Sequence, residues 1–269
     1  MDTIRATFNR LRHQHRKALV PFIMGGDPGV SMTPHLLLAL QDAGADLIEV
    51  GIPFSDPLAD GPTIQAASAR ALARGATPRN VLEAIGSVRA RLRVPVVCLS
   101  YWNPIVQFGG NGATAEAFVR AAHANGVAGV IVPDLPVEEG RPLRRFAARH
   151  SISAIFLAAP TSPAERLRRI ARASNGFIYY VSVTGTTGAR RALPPMLVHG
   201  LRQLRLVTTK PVCVGFGIST PAQARDVAHL ADGVIVGSAL IRAMAGATRR
   251  PDVLRRATSF VQRFRRAMG

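Results

Sequence analysis

Eight short runs of almost wholly apolar sequence recur along the 269 residues, separated by amphipathic helical stretches. They are ALVPFIM (18–24), DLIEV (46–50), VPVVCL (94–99), GVIVP (129–133), ISAIFL (152–157), FIYYVSV (177–183), PVCVGF (211–216) and GVIVG (233–237). A strand that faces water on one side alternates apolar with polar residues. A run that is apolar throughout is buried on both faces, as in a parallel sheet covered by helices. Eight such strands, each followed by a helix and with no Pro/Gly/Ser-rich linker, predict an α/β fold: a single (β/α)8 barrel over residues 1–269, a length usual for that architecture. An extra helix precedes the first strand, with Ile4, Phe8 and Leu11 on its buried face. A doubly wound open sheet gives the same alternation, so periodicity alone leaves both folds open. Leu36, Leu37, Leu40 and Ala43 mark one helix face, and Leu254, Ala257, Phe260, Val261 and Phe264 another. Ser31, Thr77 and Thr220 are candidate N-caps, each just before or near a proline.

The chain carries a formal net charge of +18. Lys17 and Lys210 are the only lysines among its 34 basic residues, and the arginines are spread over many helices. No zinc-finger spacing, RNP motif or aromatic-interleaved basic tract accompanies them, so the charge reads as a solvated surface and no nucleic-acid partner is expected. No apolar run reaches the ~18 residues of a membrane span, and the N-terminal segment lacks the apolar core of a signal peptide. Cys98 and Cys213 sit inside strand runs without metal-ligand spacing, which suits a reducing cytosol; the expected location is cytoplasmic.

Chemistry in a barrel sits in the loops at the C-terminal ends of the strands. All seven histidines fall in helices or at helix ends, and no pair has ligand spacing, so no metal site is expected. Both lysines precede strands and lie at the wrong end for a Schiff base. Five of the 16 carboxylates, in contrast, fall in or just after strands one, two and four: Asp27, Glu49, Asp56, Asp60 and Asp134. Glu49 lies inside an apolar strand, where a carboxylate costs several kcal/mol unless paired or protonated. Its two readings are an ion pair with an arginine and a general acid/base with a raised pKa. The loop after it, GIPFSDPLADGPTIQ, has Pro53, Pro57 and Pro62 to hold Asp56 and Asp60 in place. Strands seven and eight end in GFGIST and GVIVGSAL, glycine turns that let backbone N–H groups approach a phosphate, with Ser238 opening the next helix. The loop 182–195, SVTGTTGARRALPP, could close as a lid. Carboxylates without a metal or an iminium could cleave a C–C bond only if the substrate supplied its own electron sink; an indole ring protonated at C3 would serve.

At this point IEVGIPFSDPLADGPTIQ (48–65) closely resembles the signature of tryptophan synthase alpha chains. PFIMGGDPG (21–29), YWNP (101–104), VPDLPVEE (132–139), YYVSVTGTTGAR (179–190), GFGIS (215–219) and VGSAL (236–240) resemble further blocks of that family in the same order. The resemblance spans essentially the whole chain. It implies a lyase that splits indole-3-glycerol phosphate into indole and glyceraldehyde 3-phosphate. Glu49 corresponds to the principal acid/base and Asp60 to the acid that stabilises charge at the indole nitrogen. Phe22, Leu99, Tyr101, Ile131 and Tyr179 fall where the family lines its indole pocket. Gly188, Gly217, Gly237 and Ser238 fall on phosphate positions, and Thr187 in the lid faces Asp60. Asp56 and Asp134 lie on segments turned toward a beta subunit. The family implies no cofactor in this chain, pyridoxal phosphate in the beta chain, and an α2β2 tetramer. Gly25, Thr186 and Trp102 depart from the family's usual residues. Two alternatives stand beside this reading: a free-standing lyase that releases indole without a beta subunit, and a nucleic-acid-binding protein on an inactive barrel, which would have no need of Glu49 and Asp60.

Overall fold

The computed structural model describes residues 3–110, 114–181, 193–215 and 217–269. Its strands are β1 (Ala18–Met24), β2 (Ile48–Gly51), β3 (Val96–Leu99), β4 (Val127–Ile131), β5 (Ser153–Ile155), β6 (Leu157–Ala158), β7 (Ile178–Val181), β8 (Val212–Gly215) and β9 (Gly233–Val236). They form one sheet in the order β5-β4-β3-β2-β1-β9-β8-β7-β6. Every ladder is parallel. The two ends of that order, β5 and β6, are consecutive in the chain, so the sheet closes on itself as the expected barrel.

The eight apolar runs thus appear as nine strands because the fifth is broken at Phe156. Its N–H donates to Ser174 Oγ (3.2 Å) instead of to a neighbouring strand, while its carbonyl accepts from the Tyr179 N–H (3.2 Å). The second strand starts later than the apolar run, at Ile48. Ahead of it, the Asp46 carboxylate accepts the Leu19 N–H (2.9 Å) and the Arg265 guanidinium (2.8 Å), so a side chain does the work of a strand there.

Around the barrel lie α1 (Ile4–His13), α2 (Met32–Asp42), α3 (Pro62–Ala73), α4 (Pro78–Gly86), α5 (Trp102–Gln107), α6 (Ala115–Ala124), α7 (Arg141–Arg149), α8 (Ala164–Ala173), α9 (Pro195–Val207), α10 (Pro221–Ala228), α11 (Ser238–Met244) and α12 (Arg250–Met268). Thr77 and Thr220 start α4 and α10 with full capping boxes, in which Asn80 and Gln223 return the hydrogen bond. Ser31 does not cap α2: its backbone is already helical and its hydroxyl makes no cap bond.

The foot of the barrel is closed by α1. Ile4 and Phe8 are buried, and Phe8 packs on Phe177 at 5.9 Å. Glycines make room for this plug: a Cβ on Gly129 or on Gly176 would lie 3.0 Å from an Ile4 methyl carbon. Both lysines are used here too. Lys17 Nζ donates to the Ala231 carbonyl (2.9 Å), and Lys210 Nζ to the carbonyls of Ala171 (2.6 Å) and Ser174 (2.7 Å) at the end of α8. The chemistry is left to the opposite end.

Candidate active site

Strand register decides which side chains face the barrel interior, because cross-strand partners point the same way. Phe22 pairs with Glu49. Two residues on, Gly51 pairs with Leu99, and Leu99 with Ile131. Tyr179 pairs with Cys213, Cys213 with Gly233 and Gly233 with Ala18, which returns to the face of Phe22. Phe22, Glu49, Leu99, Ile131 and Tyr179 therefore share one inner surface. Two glycines shape it. A Cβ on Gly51 would lie 2.7 Å from Phe22 Cζ, and one on Gly215 would lie 2.4 Å from Tyr179 Oη. A side chain at either position would collide with these aromatic rings.

Glu49 is 1% exposed, and its Oε2 finds no hydrogen-bond partner. Burial, helped by the nearby Asp60 charge, pushes its pKa up to about 8. No arginine neutralises it among the described residues; the arginine pairing open to an acid of this region is taken by Asp27, which Arg70 of α3 grips with two bonds (3.0 and 2.6 Å). Asp60 reaches the mouth from the loop between β2 and α3. Burial pushes it up to about 6, against the opposing pull of a hydrogen bond from Tyr101. The coupling is one-sided for a physical reason. Asp60 is already ionised where Glu49 titrates, whereas Glu49 is still neutral where Asp60 titrates. Burial, and after it the charges of both acids, hold the Tyr179 hydroxyl well above the ordinary tyrosine range.

Tyr101 does more than line a wall. Its hydroxyl donates to Asp60 Oδ2 (3.1 Å) and accepts the Ala59 N–H (2.9 Å). Its ring lies against Phe54, at 5.4 Å between centroids. Two residues of α3 hold the same loop and were not singled out from the sequence. Gln65 Nε2 donates to the Asp60 carbonyl (2.9 Å). Ser68 Oγ accepts the Phe54 N–H and donates to the Phe54 carbonyl, both at 2.8 Å. A small polar residue on the apolar face of α3, beside Ile64, Ala67 and Ala71, was the available signal.

The remaining described site candidates share no hydrogen bond with the acid pair. Gly237 approaches Phe22, where an added Cβ would lie 3.3 Å from the ring, and Ser238 opens α11. Gly217 is exposed with φ +76°. Asp56 is exposed and receives the Ser55 hydroxyl. Asp134 accepts the Trp102 N–H at the start of α5 with both oxygens (2.9 and 3.2 Å), tying the loop after β4 to the one after β3. Thr187 and Gly188 lie outside the described residues.

Proton-transfer catalysis near neutral pH needs one acid that keeps its proton and a second that has given its proton up. With burial raising Glu49 to about 8 and Asp60 to about 6 at the C-terminal mouth of a parallel barrel, the site suits an acid/base enzyme of the (β/α)8 class. The family model described as tryptophan synthase alpha chain matches residues 8–268. The chain belongs to the tryptophan synthase alpha chain family. A relative from Gloeobacter violaceus is 51% identical over 91% of this chain and 87% of its own length; one from Geobacter sulfurreducens is 46% identical over the whole of both. The crystal structure of tryptophan synthase subunit alpha from Legionella pneumophila superposes with a TM-score of 0.90 at 37% identity, covering 100% of this chain and 98% of that one. The chain is thus a lyase of tryptophan biosynthesis that cleaves indole-3-glycerol phosphate, and its family implies a beta-chain partner.

Proposed function

We propose that Glu49 and Asp60 carry out this cleavage between them, with the whole chain acting as one catalytic domain. Near neutral pH, Glu49 is protonated and gives its proton to C3 of the indole ring. The positive charge that forms at the ring nitrogen faces the Asp60 carboxylate. The glycerol carbon next to C3 then surrenders its hydroxyl proton to Glu49, and that O–H electron pair becomes the aldehyde C=O. The C–C bond breaks, its electrons restore the C2=C3 double bond, and the iminium pair returns to nitrogen. Indole and glyceraldehyde 3-phosphate leave, and Glu49 has its proton back. No cofactor of this chain is needed, because the protonated ring is the electron sink. The observation that carries the reading is the buried Glu49 carboxyl, its Oε2 without a hydrogen-bond partner, held at about 8 beside Asp60 at about 6.

Phe22, Leu99, Tyr101, Ile131 and Tyr179 would surround the indole ring. The backbone around Gly188, Gly217, Gly237 and Ser238 would take the phosphate, and Thr187 would hold Asp60 once the lid closes. Leu58 supports docking of a pyridoxal-phosphate beta chain at this end: it stands 93% exposed on the Asp60 loop, where an uncovered leucine gains most from a partner. Asp56 and Asp134 flank that surface. An α2β2 assembly in the cytoplasm is the corresponding organisation. No helix of the described residues is long and apolar enough to cross a membrane.

Indole release from indole-3-glycerol phosphate tests both parts. Asp60→Asn should lower kcat by about 10²-fold or more with a smaller change in KM, since a carboxylate facing transient charge acts in the transition state. A raised KM at constant kcat would make Asp60 a binding residue instead. A beta chain should stimulate the parent at least tenfold and co-elute with it. Full activity alone, without co-elution, would favour the free-standing lyase.

A further inference from the structure

We propose that Ser68 is a positioning residue for the cleavage, acting on Asp60 through Phe54 and Tyr101. The inference rests on the catalytic role given to Asp60 above. Asp60 lies on a loop, and a loop places a carboxylate well only if something rigid holds it. The rigid element is α3. Arg70 fixes it to the turn after β1 through the two bonds to Asp27. Two residues earlier in the helix, Ser68 is 1% exposed and holds both backbone polar groups of Phe54 at 2.8 Å. One hydroxyl therefore satisfies a donor and an acceptor that no strand or helix satisfies, and sets the height and rotation of Phe54. The Phe54 ring in turn lies against Tyr101 at 5.4 Å. Tyr101 passes the constraint on through its hydroxyl, which holds the Ala59 N–H and the Asp60 carboxylate together.

The order of contacts is Ser68, Phe54, Tyr101, Asp60, and each is direct. Among the described residues Ser68 shares no hydrogen bond with either acid, so it acts on Asp60 indirectly, through Phe54. Losing its hydroxyl would free the Phe54 peptide, let the ring slide on Tyr101 and loosen the carboxylate. A displacement of ~1 Å at a reacting group can cost about 10²-fold in rate.

The test is a two-by-two set of variants in the full chain with its beta partner: parent, Ser68→Ala, Tyr101→Phe and both together. Indole release is measured as kcat and KM, alongside the thermal midpoint. Ser68→Ala is expected to lower kcat at least tenfold with KM within about twofold. In the Tyr101→Phe background the same change should cost less than about twofold, because the path is already cut. An equal fold-loss in both backgrounds, or a loss tracking the thermal midpoint alone, would make Ser68 a general packing residue and overturn the proposal. So would an unchanged kcat. Should Ser68→Ala fail to fold, Ser68→Cys keeps the volume, weakens both bonds to Phe54 and must give the same background dependence. Asp60→Asn separates the two levels of inference. If it stays active, the assigned role of Asp60 fails; if it is inactive while Ser68→Ala is normal, only the Ser68 path fails.

Discussion

Replacing Glu49 by glutamine keeps the shape of the neutral acid and removes its proton equilibrium. In the parent, burial and the Asp60 charge move Glu49 from 4.5 up to about 8. Between those two pH values the folded chain holds a proton that the unfolded chain has released. The folded pKa is the raised one, so this contribution to stability is complete below about 4.5 and is lost as pH rises toward about 8. The slope is about 1.4 kcal/mol per pH unit within the window. The glutamine variant has no such dependence. Its unfolding free energy should therefore gain on that of the parent by up to about 4 kcal/mol between pH 5 and pH 8. Roughly half of that is expected, because the surroundings of a buried charge relax and the new amide inherits the partnerless Oε2 position. Urea unfolding of both proteins at four pH values across this range gives the difference directly. A difference that stays flat to within about 0.5 kcal/mol would refute the raised pKa, and with it the protonated acid that the proposed cleavage needs. Indole release should meanwhile fall by about 10²-fold or more even as the variant gains stability relative to the parent toward pH 8.

Three further predictions address other parts of the molecule. Tyr101→Phe removes the hydrogen bond that lowers the Asp60 pKa, so the acid limb of the kcat/KM profile should move upward from about 6; a limb that stays put would separate Tyr101 from Asp60. Gly237→Val should raise KM for the phosphorylated substrate more than for its dephosphorylated analogue, and an equal effect on both would point to displacement of Phe22 instead, whose ring is 3.3 Å from the added Cβ. Phe8→Ala at the foot should cost about 3–5 kcal/mol of stability while leaving kcat per folded molecule within about twofold; a larger loss of kcat would mean that the foot and the mouth are coupled.

The strands were legible because the interior of a parallel barrel demands apolar residues on both faces, and local sequence records that demand directly. The exceptions are places where a side chain replaces backbone. Asp46 takes the bonds that would have extended β2, and Ser174 takes the N–H of Phe156 and breaks the fifth run in two. The acids were only half legible. Sequence position put five of them near the mouth, but pairing with residues far along the chain separates Glu49 and Asp60 from the rest. Asp27 is claimed by Arg70, 43 positions away, and Asp134 by the Trp102 N–H, 32 positions away. The stiffness of the Asp60 loop was read from its prolines, yet much of it comes from Tyr101, Gln65 and Ser68, whose grip exists only once α3 and β3 have packed beside the loop. Ser31 was misread because the preference of serine for helix starts is a tendency, and here the backbone is already helical at that residue.

The use of both lysines as carbonyl caps at the foot has a practical side. The chain's only side-chain amines, Lys17 and Lys210, lie at the end of the barrel away from Glu49 and Asp60, each already donating to backbone oxygens. Reagents that acylate amines thus have no lysine target near the mouth. A chain tethered to a surface through these two side chains would stand with the Glu49 and Asp60 end outward.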